Sequence, residues 1–249
     1  MSLTVGISGL GQIGGSLARA LKAHGIRVHA ADPRVRRLGA VRSAKLLPPV
    51  DLLILACPMP EILNLLVQMR HWPHLPLAVT DVGSVKAPVV EALRRLPKEV
   101  AWIGGHPLAG TEGSGWASSN PDLFKGATWV LTREHRGSGI TAKVGRLVRA
   151  LGASPAFLTA KRHDRILART SHAPYLVSCA LVQAALADGI RPAELRRFSA
   201  GGWRDMTRLA LSNPIMAKGY VLANRCEVAT ALRTVALKLR RLKPRPRRG

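Results

Sequence analysis

The sequence predicts a doubly wound α/β domain, a parallel sheet with helices on both faces, followed by a smaller all-helical domain. Three observations predict it. Short runs that are apolar throughout alternate with helical stretches, which is how strands read when a parallel sheet is buried on both faces. A Gly-x-Gly-x-x-Gly turn, Gly9 to Gly14, stands between the first such run and the first helix. Beyond Pro155 only helical stretches remain.

The opening "LTVGISGLGQIGGSLARALKAHG" gives a buried strand over residues 3–8, a glycine turn, and a helix over 12–24 closed by Gly25. "IRVHAAD" is a second strand ending at Asp32, and "VDLLILACP" a third, stopped by Pro58. Only the 18 residues 33–50 separate these two, too few for a helix-strand-helix passage, so a stunted strand at "KLL" is expected there. A helix over 61–69, a strand "LPLAVTD", and a helix after "GSVKAP" with Ser84 as its cap follow. The strand "VAWIGG" then leads into His106, which the glycines and Pro107 should hold on a tight loop. A loop over 113–124, a strand "ATWVLT" and a helix over 141–151 complete the domain. Helical stretches over 160–187, 192–211 and 214–241 are separated by Gly189, "SAGG" and "SNP". The division expected is residues 1–158 and 159–249.

A hydrophobic content of 47% supports a sizeable core. No apolar run has the length of a bilayer span, and Met1 leads straight into "LTVGISGLG", so a cytoplasmic protein with no membrane association is expected. Cys57, Cys179 and Cys226 are odd in number and far apart, which suits reduced thiols and neither a disulfide framework nor a metal site. The net charge of +24 would attract polyanions. Its arginines are nevertheless scattered along helical segments, aromatics are only 4%, and the one concentrated run is the tail over 239–249. Nucleic-acid binding is expected to be at most incidental.

In the glycine turn, Gly9 suits the tight bend, Gly11 lets a pyrophosphate approach the backbone, and Gly14 lets helix and strand pack closely, with Gln12 and Ile13 between them. The helix N-terminus offers amides and a positive dipole end to phosphates. Asp32, about 20 residues on at the end of the second strand, would accept hydrogen bonds from an adenosine ribose. The domain is therefore Rossmann-like, and Asp32 favours NAD. Arg34, Arg36 and Arg37 keep NADP open by offering guanidinium groups to a 2′-phosphate. Cys57 and Pro58, at the end of the third strand, border the same crevice.

The stretch "IGGHPLAGTEGSG" has two readings, a solvated turn histidine or an imidazole placed to move a proton near neutral pH. The motifs "GLGQIGGSLARAL", "TDVGSVK", "GGHPLAGTEGSG", "SHAPYLVSCAL" and "FSAGGWRDMTRLALSNP", in this order, resemble the prephenate/arogenate dehydrogenase family of tyrosine biosynthesis. The resemblance implies an oxidative decarboxylation: a cyclohexadienyl C4 hydroxyl loses hydride to NAD(P)⁺, and the ring carboxylate leaves as CO2. It implies that His106 takes the hydroxyl proton and that Ser84 bonds the same hydroxyl or the histidine. It further implies that Arg208, or Arg204 one turn earlier, clamps a substrate carboxylate, and that His172 and Thr111 help form the substrate pocket. A homodimer through the helical domain is implied too. Where many prephenate-using members read Ser-His-x-Pro-His, this chain has Tyr175 at the last position. Two competing readings are a related β-hydroxyacid or imine reductase, and a non-enzymatic basic nucleotide- or nucleic-acid-binding protein on the same scaffold.

Overall fold

The computed structural model describes residues 3–111 and 113–242. Seven strands form one sheet: β1 (Thr4–Ser8), β2 (Arg27–Ala31), β3 (Leu52–Leu55), β4 (Ala78–Asp81), β5 (Ala101–Pro107), β6 (Thr128–Arg136) and β7 (Ser154–Leu158). Their spatial order is β2-β1-β3-β4-β5-β6-β7. Helices α1 (Gln12–Ala23), α2 (Met59–Gln68), α3 (Ala87–Arg94) and α4 (Ile140–Ala150) connect them. The apolar runs read as strands are buried: β3 and β4 have every residue inside, and Val5, Ile7, Leu17, Ile54 and Leu131 meet in the core. The chain reverses its direction of winding at β1, which pairs with β2 on one side and β3 on the other. Ligand crevices in doubly wound sheets open at such a switch point, beyond the strands' C-terminal ends.

Several expectations are corrected. "KLL" is no strand: Ala44–Leu46 is a 3₁₀ turn, and among the described residues the segment's only ladder pairing with the sheet is the bridge Ala31↔Val41, leaving β2 at the edge. Residues 33–50 already have to carry the chain from β2 past β1 to the parallel β3, which leaves no length for an extra strand with a crossover of its own. The sheet is also not parallel throughout, because β5 and β6 are antiparallel. They are joined by a loop, and a parallel pair needs a crossover. A strand that the sequence pattern does not announce, β7, pairs parallel to β6; its Pro155 is tolerated because β7 is an edge.

His106 lies in β5, opposite Val130, and not on a loop. Pro107 fits in the strand because Leu108 N–H bonds Thr128 O, so alternation turns the Pro107 nitrogen away from β6. On that other side the β4 pairing has already ended at Thr80↔Ile103. Ser84 is not the cap of α3. It sits in the bend before Lys86, the N-cap residue, and Pro88 in the first turn sets the start of the helix.

Contacts divide the chain into a unit through His163 and a unit from Asp164. The stretch expected to be one helix over 160–187 is α5 (Ala160–Leu167), a π-helical turn (Ala168–His172) and α6 (Ala173–Ala187). Then follow α7 (Pro192–Phe198), α8 (Gly201–Thr207), a 3₁₀ turn (Arg208–Leu211), α9 (Pro214–Ala223) and α10 (Arg225–Leu242). Within the helical unit Ala173, Ser178, Ala217, Val228 and Ala231 are buried, while Phe198, Leu211 and Ile215 are at least three-quarters exposed. Of the basic tail, residues 239–242 finish α10 and 243–249 lie outside the described residues. No single helix among the described residues is long and apolar enough to cross a membrane.

Candidate active site

The glycine turn is built by three different constraints. Gly9 has φ 98°, and a Cβ there would lie 2.6 Å from Ala56 O. A Cβ on Gly14 would lie 1.9 Å from Gly9 O, so only glycine lets α1 leave β1 at this distance. Gly11 differs from both. Its φ of −72° suits any residue, and a Cβ would meet nothing within 4 Å among the described residues. No contact among the described residues explains a glycine there, whereas the approach of a ligand to the backbone would. Among the described residues no side chain caps α1 and no acidic residue occupies its first turn, so its N-terminal amides face a space suited to an anion. The turn therefore fits a dinucleotide's pyrophosphate.

Asp32 does local work before any ligand is considered. Its Oδ2 accepts from Leu10 N at 2.8 Å, and its Oδ1 accepts from Arg34 N and Val35 N, both at 2.8 Å. A carboxylate offers about four acceptor positions, so one remains, on Oδ2. Arg36 donates to Asp32 O and Pro33 O, which ties its guanidinium to its own turn, while Arg34 is exposed. Ile13 packs on the core. At the end of β3, burial pushes the Cys57 thiol up to about 12, which keeps it protonated and inert, and Pro58 caps α2.

The second half of the site surrounds His106. A buried ion pair clamps the residue before it: Lys86 Nζ donates to Asp81 Oδ2 and, at 2.6 Å, to Gly105 O, while Asp81 Oδ1 accepts from Gly105 N at 3.0 Å. Both side chains are fully buried. Asp81 Oδ2 also accepts from Gly83 N at 2.8 Å, and a Cβ on Gly105 would lie 2.6 Å from Asp81 O. Half-buried His106 places its Nδ1 2.9 Å from Nε2 of His163, whose side chain is fully buried. His163 is held there by the start of α5, where both Glu134 oxygens accept from Ala160 N and Thr159 O accepts from His163 N.

The two halves are joined. Gln12 Nε2 donates to Thr111 Oγ1 at 2.6 Å, and Thr111 N donates to Gln12 Oε1 at 3.1 Å. Ser16 Oγ accepts from Asn120 N at 2.9 Å, and the Arg19 guanidinium lies 4.5 Å from the Trp116 ring centroid. A Cβ on Gly15 would strike Ser119 and Trp116 at 2.8–3.0 Å. The loop after His106 is thus seated on α1, so the glycine turn and the histidine belong to one body. Thr111, expected at the substrate, is engaged with Gln12, expected at the cofactor. Ser84 is half-buried past the end of β4, at the same sheet end as Gly9, Cys57 and His106.

In the helical unit His172 is 1% exposed, accepts at Nδ1 from Asn224 Nδ2 (3.2 Å), and stacks on Tyr220 with centroids 4.5 Å apart. Asn224 Nδ2 also donates to Asp164 O at 2.8 Å. Burial pushes the Tyr220 hydroxyl up to about 12, and Tyr175 meets that ring edge-on at 6.1 Å. Arg204 and Arg208 are both exposed, but α8 ends at Thr207 and Arg208 opens the following 3₁₀ turn, so they do not share one helix. Sequence reasoning misses Asp81, Lys86 and His163. The first two stand in "TDVGSVK", where an aspartate and a lysine five residues apart give no sign of pairing, and nothing in "KRHDR" marks His163.

A sequence profile described as "Prephenate dehydrogenase, nucleotide-binding domain" matches residues 17–155, and one described as "Prephenate dehydrogenase, dimerization domain" matches residues 159–245. Prephenate dehydrogenase of Bacillus subtilis (strain 168) is 32% identical over 245 aligned positions, covering 92% of this chain and 66% of that protein. The chain thus spans just under two thirds of that relative's length. The crystal structure of Aquifex aeolicus prephenate dehydrogenase with hydroxyphenyl propionate and NAD⁺ is similar over 98% of this chain and 90% of that one, with 28% identity and a TM-score of 0.86. Synechocystis arogenate dehydrogenase is similar over 96% of this chain and 90% of that one, with 28% identity and a TM-score of 0.76. With both profiles matched in order along nearly the whole sequence, the chain belongs to the prephenate dehydrogenase family.

Proposed function

We propose that the protein carries out the NAD-dependent oxidative decarboxylation of prephenate or arogenate in tyrosine biosynthesis. The observation that carries this reading is the joining of His106, through its loop, to a glycine turn whose Gly11 faces open space. Gly9 to Gly14 and the α1 amides would hold the pyrophosphate, and the remaining Oδ2 position of Asp32 would hold the ribose. When bound, NAD supplies the hydride acceptor. Its preference over NADP is supported by Asp32, which repels a 2′-phosphate, and by Arg36, which is already tied to its own turn. The Aquifex relative, solved with NAD⁺ and a hydroxyphenyl acid, supports the same cofactor and ligand class.

His106 would accept the C4 hydroxyl proton as hydride leaves C4, and return it to the same oxygen once CO2 has departed and the ring is aromatic. No net proton is consumed, which suits an imidazole that must be neutral before and after turnover. Ser84 would bond the hydroxyl or His106. Arg208, with Arg204 as the neighbouring alternative, would clamp a carboxylate, and His172 would shape the pocket. Prephenate and arogenate differ in a side-chain carbonyl against an amine, and Tyr175 stands where many prephenate-using members carry a histidine. The test is reduced-nicotinamide absorbance with each substrate and each of NAD and NADP. NAD reduction with either substrate is expected, and no reduction with any of the four pairs would remove the reading.

The apolar residues exposed on the helical unit, and a profile described as a dimerization domain, support a homodimer through that unit. Sedimentation at micromolar concentration should give twice the chain mass, and a monomer mass would exclude it.

Two variants separate fold from binding in the glycine turn. Gly11→Ala should cost at most about 1 kcal/mol of stability, the usual difference at a helix N-cap, yet weaken NADH binding by about tenfold or more. Gly14→Ala should fail earlier, in a urea melt, because its methyl group meets backbone. Unchanged NADH affinity in Gly11→Ala would move the pyrophosphate elsewhere.

Arg208→Ala should raise KM by about 30-fold or more with a smaller change in kcat, because a carboxylate contact exists before and during the chemistry. Lysine should restore only part, having no fork geometry. An unchanged KM in both Arg208→Ala and Arg204→Ala would remove the clamp.

A further inference from the structure

A histidine that accepts a proton at Nε2 must hold its own proton at Nδ1, and the ring at Nδ1 decides whether it does. The Nδ1···Nε2 distance of 2.9 Å between His106 and His163 is a hydrogen bond with room for one proton. If His163 donates that proton, neutral His106 carries its own on Nε2 and has no lone pair facing the substrate. If His106 donates, its Nε2 is bare and His163 holds its proton on Nδ1. The two arrangements have the same atoms and opposite competence. We infer that His163 is a positioning residue that accepts from His106 Nδ1–H and so keeps His106 in the one tautomer able to take the substrate proton.

Three features suit His163 to this part. Its side chain is fully buried, so solvent does not compete for Nε2. Its helix start is fixed by Glu134, which accepts from Ala160 N, and by Thr159 Oγ1, which accepts from Arg162 N at 3.3 Å. The rings meet edge to face at 74° with centroids 5.1 Å apart, which limits turning of either. The logic is that of the aspartate in a serine–histidine–aspartate triad, with a neutral ring in place of the carboxylate. The inference rests on the proton-acceptor role proposed for His106.

Long-range ¹H–¹⁵N spectra of the imidazoles in the full-length wild-type protein read the tautomer without turnover, and should show His106 as Nδ1–H. His163→Leu, which keeps bulk but has no acceptor, should lower kcat by about 100-fold or more, with KM and NADH affinity within about threefold. His163→Gln, which presents a carbonyl oxygen near the same place, should recover at least about tenfold of that loss. A wild-type His106 protonated at Nε2, or wild-type kcat in His163→Leu, would overturn the inference. If His163→Leu does not fold, the tautomer seen in the wild-type spectrum still decides between the two arrangements. Absence of turnover by wild type with both substrates and both cofactors would instead remove the proposed function, while the spectrum still tests the His163 hydrogen bond.

Discussion

His106→Asn is expected to lower kcat by about 10²–10⁴-fold while leaving NADH affinity and thermal unfolding nearly as in wild type. The amide fills much of the imidazole's space but cannot take a proton near neutral pH, so the hydroxyl must give its proton directly to water. Folding should tolerate the change because what sets the course of β5 lies outside the ring: Gly105 is held at both N–H and C=O by Asp81 and Lys86, and Leu108 N–H bonds Thr128 O. Cofactor affinity should survive because the loop reaches α1 through Gln12 and Thr111, which are untouched. Steady-state kinetics beside an NADH fluorescence titration separates these effects. Wild-type kcat in the variant would return His106 to the role of a packing residue and send the search for a base to another group.

Lys86→Met should destabilise the protein by about 3–5 kcal/mol, the usual cost of removing one member of a fully buried ion pair. The Asp81 carboxylate would stay buried with the backbone donors Gly83 N and Gly105 N but without its counter-charge, and Gly105 O would lose its Lys86 donor. Because Gly105 adjoins His106, kcat should fall in the same variant, by less than in His106→Asn. Urea unfolding with an unchanged m-value reads the first effect. Adding Asp81→Asn to Lys86→Met should cost less than the sum of the single changes, since no charge is then stranded. A loss below about 1 kcal/mol in Lys86→Met would mean that the pair is dispensable and that β5 is positioned by its strand neighbours alone.

What is legible in the sequence is what short-range pattern determines. Strands β1, β3 and β4 read as apolar runs because they are buried, while β2 at the edge keeps Arg27 exposed, and the glycine turn reads as such because one of its constraints, Gly14 against Gly9, acts between residues close in the chain. The helical character beyond residue 160 follows from the same local periodicity, and five spaced motifs suffice to indicate the family. The tertiary structure decides everything that depends on which distant segments meet. The antiparallel β5–β6 pair follows from a connection that does not cross over, and it makes His106 a strand residue when its own glycines and proline suggest a loop. Lys86 resembles an exposed helix lysine until β4 and β5 enclose it with Asp81. His106 and His163 lie 57 residues apart, and no local pattern records that β7 and the capped start of α5 bring one ring to 2.9 Å from the other. Hydrophobic periodicity is a property of neighbours in the chain, whereas the hydrogen bonds that orient this imidazole exist only after the sheet has paired.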